Sequence, residues 1–211
     1  MDALGTEWAV AWVRGSAAVV AEQRAALSGL DRAIGDGDHG ENLDRGFRAV
    51  LAKLDAGVPD TPGGVLKLVA TTLISTVGGA SGPLLGTAYL RAAQAAGDAP
   101  TLDGAAVVAL LAAARDGVVA RGKAEPGDKT MVDAWTPAVD AAQRALDDGA
   151  DATAVLEAAA DAAERGAEAT DPLVARKGRA SYLGERAIGH RDPGAQSSAY
   201  QLRAAAVAAE G

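Results

Sequence analysis

Three aspartates, Asp31, Asp36 and Asp38, fall within eight positions of the segment DRAIGDGDHGEN, and a histidine, His39, follows directly. Carboxylates this close in sequence repel one another. Either water screens them in a turn or a cation belongs among them. A hard divalent cation takes oxygen ligands, and magnesium in particular binds through one or a few carboxylates while keeping places for water and phosphate oxygens. Gly35 and Gly37 permit the tight backbone that would aim neighbouring carboxylates at one point. An EF-hand is excluded by counting: with Asp36 in the first position, the sixth is Glu41 rather than glycine and the twelfth is Phe47 rather than glutamate. His39 is a candidate metal ligand, general base or hydrogen-bond partner, with the hydrogen bond to a ligand favoured. A helix beginning near Gly40 would turn its free N–H groups toward the same place, with Asn42 in its first turn. By itself the segment leaves an acidic turn open.

Three further loops offer complementary chemistry. GGASGP at 78–83 supplies N–H groups and the Ser81 hydroxyl where a helix begins, with Pro83 suited to its first turn. No G-x-x-x-x-G-K-[ST] occurs, so this is not a Walker loop, and a close helix crossing is the competing reading. GDKTMVDAW places Lys129 and Thr130 before another helix, with Lys129 either reaching phosphate or solvated. The stretch RKGRASYLGERAIGHRDPG concentrates Arg176, Lys177, Arg179, Arg186 and Arg191 in an otherwise acidic chain. It could balance ligand charge, or form surface pairs with Glu185 and Asp192 that contribute little. Ala80, Leu84 and Met131 are small or apolar enough to face a base. Together these loops describe a magnesium–nucleotide site without a P-loop.

The elements that would position them read as helices. The 211 residues are 49% hydrophobic, yet contain one Phe, three Tyr and three Trp, and are rich in alanine. Alanine has the best helix propensity and lets helices approach closely, so the fold class is all-α. The expected helices cover 6–30, 41–54, 65–77, a segment ending near 96, 102–118, 131–146 with Pro137 inside, 154–169 capped by Asp151 or Thr153, and 195–208. Leu43, Phe47, Val50, Leu51 and Leu54 form one of several helical stripes. Eight helices with short connections predict one antiparallel bundle or barrel, a single domain over 1–211. In such a bundle alternate loops share one end, so the glycine-rich loops could meet at one mouth.

The net charge of −8, with no basic stripe, argues against nucleic-acid binding. Absence of cysteine removes disulfides, thiolate metal sites and cysteine nucleophiles. The start, MDALGTEWAVAWVRG, carries Asp2, Glu7 and Arg14 and does not read as a signal peptide. No run of ~20 uncharged apolar residues suggests a membrane span. The expected location is the cytoplasm.

The segments AIGDGDHGENLDRGF, GGASGPLLGTAY, GDKTMVDAWTPA and GRASYLGERAIGHRDPGAQSS, in this order, resemble the ADP-binding L subunits of bacterial, phosphotransferase-linked dihydroxyacetone kinases. Glu41, Leu43 and Leu85 depart from that family's usual text. The resemblance implies a barrel of eight antiparallel helices with a nucleotide at one mouth. It makes Asp31, Asp36 and Asp38 ligands of two magnesium ions. It places His39, Gly40, Glu41, Asn42, Ala80, Ser81, Gly122, Met131, Arg179, Asp192, Pro193 and Gly194 against ADP or ATP. It assigns no catalytic residue to this chain, because the histidine that holds dihydroxyacetone covalently belongs to a partner K subunit. A phosphohistidine protein of the phosphotransferase system would recharge the bound ADP. The alternatives are an ATP-exchanging kinase subunit acting on dihydroxyacetone or another small ketose or sugar, and a regulatory subunit that binds a transcription regulator. A homodimer is left open.

Overall fold

A computed structural model describes residues 3–211; Met1 and Asp2, the latter one of the charges read against a signal peptide, lie outside the described residues. Nine α-helices and one 3-10 segment account for the regular structure among the described residues: α1 (Thr6–Glu22), α2 (Arg24–Ile34), α3 (His39–Ala56), α4 (Pro62–Thr76), α5 (Ser81–Ala96), α6 (Gly104–Gly122), α7 (Val132–Asp147), α8 (Ala152–Glu168), the 3-10 segment Arg179–Ala187, and α9 (Pro193–Ala209).

The single first helix expected at 6–30 is two helices. The chain bends at Gln23, whose N–H still bonds the Val19 carbonyl while its own carbonyl accepts from Leu27. The second piece runs on to Ile34, so Asp31 stands on a helix and is buried, whereas Asp36 and Asp38 lie in the loop that follows. The bent α1–α2 pair acts as one stave. Each later helix packs against its predecessor, and α9 returns to α1, closing an antiparallel barrel of eight staves. Trp8 and Trp12 fasten the closure by donating Nε1–H to the Ala205 and Gln201 carbonyls at 3.0 and 2.8 Å.

Small residues set how near the staves come. The Gly46, Gly86 and Gly166 sites would each bring a side chain against the neighbouring helix. Pro137 lies inside α7 and supplies no N–H to the Asp133 carbonyl, and Gly166 of α8 packs directly over that carbonyl and the proline ring. No helix among the described residues is long and apolar enough to cross a membrane.

Candidate functional site

The loops joining α2 to α3, α4 to α5, α6 to α7 and α8 to α9 all lie at one end of the barrel. They surround a cleft of about 500 Å³. The helices that follow them therefore start at the cleft. Ala80, just before α5, has no side chain that could cap that helix, whereas the first N–H of α3 is given to Asp31 Oδ2 and the first of α7 to Thr130 Oγ1. At the opposite end Thr61, Asp103 and Asp151 cap α4, α6 and α8. Uncapped helix starts carry free N–H groups and partial positive charge, which favours an anion. Asp192 does cap α9, accepting from Ala195 N at 2.7 Å.

The carboxylate oxygens of Asp31, Asp36 and Asp38 come within 4.8 Å of one another on the cleft wall. Asp31 is the fixed member: its Oδ2 accepts from the N–H groups of Asp38 and His39 at 2.8 and 3.0 Å. Gly37 makes the turn possible at φ 80°. A side chain on Gly35 would run into the Asp31 carboxylate. Arg179 reaches from the 3-10 segment to Asp36 Oδ2 at 2.9 Å. Three hard oxygen donors on a wall open to the cleft fit a divalent cation that keeps places for other ligands.

Most of the residues expected at the site line this cleft: Asp31, Asp36, Asp38, His39, Ala80, Ser81, Gly122, Met131, Arg179, Asp192, Pro193 and Gly194. Three do not. Gly40 is buried where α3 presses on α2, Glu41 is exposed and pairs with Arg24 at 3.4 Å, and Asn42 accepts from Arg45 at 2.6 Å behind the 77–80 loop. Gly40 and Glu41 are turned off the cleft by the helical rotation that points His39 into it, and Asn42, one turn along the same face, meets Gly78 and Arg45 instead. Val118 and Arg121, in the last turns of α6, line the cleft but were not expected there. Val118 belongs to the buried apolar face of α6, which continues past the core to the mouth.

Of the basic residues, Arg121, Lys129, Lys177 and Arg179 line the cleft. Arg191 is spent on a two-pronged pair with Asp171 at 3.1 Å and a bond to Gln196 at 3.0 Å. Lys129 neither reaches outward nor lies in water. It is buried, with φ 64°, and its Nζ donates to the carbonyls of Thr170 and Asp171. Burial lowers its pKa against the pull of Asp192, Asp171 and Asp133. The loop before α7 is thereby latched to the loop before α9, and Asp133 tightens it by accepting from Gly127 and Thr130 N–H.

Burial pushes His39 down to about 4 despite Asp38 and Asp36, so the ring is neutral. Burial pushes Asp192 up to about 7, opposed by its bond from Ala195, with Asp133 adding to the rise. The folded state thus holds the Asp192 proton more tightly than the unfolded chain. Its contribution to stability is full below about pH 4 and is lost as pH rises toward 7. Asp192→Asn keeps a capping oxygen and removes that dependence. The nucleotide-free variant is expected to gain on wild type by about 1–3 kcal/mol between pH 4 and 7, a range discounted for partial exposure. Urea melts of both proteins across that range measure it, and parallel curves would contradict it.

A family model described as the DAK2 domain matches residues 33–207. The chain is 46% identical over 201 residues to the ADP-binding subunit of the PEP-dependent dihydroxyacetone kinase of Escherichia coli, covering 95% of this chain and 96% of that one. It is 44% identical over 181 residues to the ADP-binding subunit of the PTS-dependent dihydroxyacetone kinase of Lactococcus lactis, covering 86% of each. Among solved structures, the dihydroxyacetone kinase of C. freundii in complex with AMP-PNP and Mg2+ superposes with a TM-score of 0.68 at 28% identity, over 93% of this chain and 33% of that one. The chain spans about a third of the length of that kinase.

Proposed function

The chain belongs to the DAK2 domain family, and on that premise we propose that it is the nucleotide-binding subunit of a dihydroxyacetone kinase, one domain over 1–211 that presents a phosphoryl group to dihydroxyacetone held on a separate K-type subunit. The observation that carries the reading is the meeting, in one cleft, of three carboxylates with the starts of α3, α5, α7 and α9, that of α5 uncapped. Cation ligands and phosphate-binding N–H groups are what a magnesium–nucleotide complex needs from a protein without a P-loop.

Asp31, Asp36 and Asp38 would hold magnesium, two ions in this reading. When bound, the cations supply neutralisation of phosphate charge, the main requirement of phosphoryl transfer. The chain's own residues do the rest. The N–H groups of Ala80, Ser81 and Gly194, at the starts of α5 and α9, orient phosphates, with the His39 ring beside them. Arg179 adds charge at the open edge. Met131 and Gly122, with Leu84, form the apolar wall for the base. Gly40, Glu41 and Asn42 support this arrangement from outside the cleft wall. The substrate-holding histidine belongs to the partner.

The nucleotide stays bound and is recharged in place by a phosphohistidine donor protein of the phosphotransferase system, which the likeness to subunits named ADP-binding and PEP- or PTS-dependent supports. The test is to purify the protein, denature it and chromatograph the supernatant on an anion exchanger. About one ADP per chain is expected. An empty trace, with rapid exchange of added ATP, would replace retention by an ATP-exchanging subunit. Failure to transfer phosphate to dihydroxyacetone when reconstituted with K subunit and donor protein would leave only a regulatory role.

A further inference from the structure

One buried hydroxyl joins two of the helix starts in the cleft. Ser197, in the second turn of α9, is fully buried and does not line the cleft. Its Oγ lies 2.9 Å from Nε2 of His39, the first residue of α3, and 3.1 Å from the carbonyl oxygen of Gly194. Both of those residues line the cleft, from different loops. The rest of α9 is rich in alanine, which would fill the same space without the cost of burying a hydroxyl.

The Gly194 carbonyl accepts from the hydroxyls of Ser197 and Ser198, at 3.1 and 2.8 Å. With the Ser197 O–H given to that carbonyl, the lone pair left on Oγ accepts a hydrogen bond from the imidazole Nε2–H. Ser197 is itself braced from below. Its carbonyl accepts from Gln201 Nε2 at 2.9 Å, and Gln201 Oε1 accepts from Tyr89 O–H at 3.0 Å. The Trp12 bond to the Gln201 carbonyl ties the same turn of α9 to α1. The hydroxyl therefore sits on a turn held by two other staves.

We propose that Ser197 is a positioning residue for the nucleotide site: it holds His39 in the Nε2–H tautomer, at a fixed ring orientation, and keeps the start of α3 in register with the start of α9. The same tautomer leaves Nδ1 as the acceptor of the ring. The inference rests on the reading of the cleft as a nucleotide site, and its test separates the two.

The test uses the full chain with labelled imidazole nitrogens, as wild type, Ser197→Ala and Ser197→Cys. The chain has two histidines and His190 is exposed, so the two rings are told apart. Wild-type His39 is expected to show a single Nε2–H pattern. Both variants should shift it toward the average of two tautomers, and release Mg-ADP about tenfold faster. Cysteine keeps the volume with a weak hydrogen-bonding group, so it separates the hydroxyl from packing and serves if alanine fails to fold. An unchanged ring pattern in both variants overturns the proposal. So does a lowered melting temperature with Mg-ADP release at the wild-type rate. If wild type itself binds no Mg-ADP, the nucleotide reading falls, and the ring pattern still decides whether Ser197 sets the tautomer.

Discussion

Asp36→Asn and Asp38→Asn are each expected to weaken Mg-ADP binding about 100-fold, some 2.7 kcal/mol, with no loss of folding stability in EDTA. The two effects separate because of where these carboxylates lie. Both are exposed, and Asp36 is paired with Arg179, itself exposed, in a contact of the kind that contributes little to stability. Taking one negative charge out of a crowded cluster relieves repulsion in the metal-free protein, so the melting temperature should hold or rise slightly. The loss appears only when a cation must be held. Asp31→Asn should behave differently, since Asp31 is buried and accepts two backbone N–H groups. Its replacement should lower both binding and stability. Titration calorimetry with Mg-ADP and thermal melts in EDTA measure the two quantities. Mg-ADP held by Asp36→Asn as tightly as by wild type would reject the ligand assignment. A melting temperature several degrees lower in EDTA would make the loop a structural turn.

The barrel was legible because its signals are local and repeated. Alanine content and helical stripes marked the staves, and alternation of loops gathered the right four at one end. The bend at Gln23 left no such mark. No glycine or proline stands there, and hydrogen bonds continue on both sides. The expected end of that stave also fell at Leu30 rather than Ile34, which left Asp31 in the loop and hid why Asp31 alone of the three is buried. The basic residues show a second limit. Sequence placed Lys129, Arg179 and Arg191 near the site, but only packing decides that Lys129 turns inward to carbonyls, Arg191 to Asp171, and Arg179 to the acidic loop. Ser197 was out of reach altogether: its partner His39 lies 158 positions away, and a serine in an alanine-rich helix carries no signal of its own.

Gly40 is the sharpest case, because sequence and structure give it different roles with opposite experimental signatures. The family resemblance places it against the nucleotide. In the structure it is off the cleft wall, and a Cβ there would strike the Arg24 carbonyl oxygen and come within 2.8 Å of Ser28 Oγ, both on α2. A backbone carbonyl in a helix cannot step aside alone, so α2 must move as a body. Asp31 lies one turn beyond Ser28 and would move with it, away from the N–H groups of Asp38 and His39. Gly40→Ala is therefore expected to cost about 3 kcal/mol of stability and to abolish tight Mg-ADP binding as a consequence. Helix propensity alone would push the other way, since alanine exceeds glycine by about 1 kcal/mol inside a helix. Gly29 supplies the control: it lies within α2, and its Cβ would meet nothing within 4 Å. Gly29→Ala should gain about 0.5–1 kcal/mol and bind Mg-ADP as wild type does. Chemical melts of the nucleotide-free proteins give the sign. If Gly40→Ala is as stable as wild type yet loses Mg-ADP, the glycine meets the nucleotide directly and the helix-crossing account is wrong. If it is unstable and Gly29→Ala is not, the close approach of α2 and α3 is what holds the acidic cluster in place.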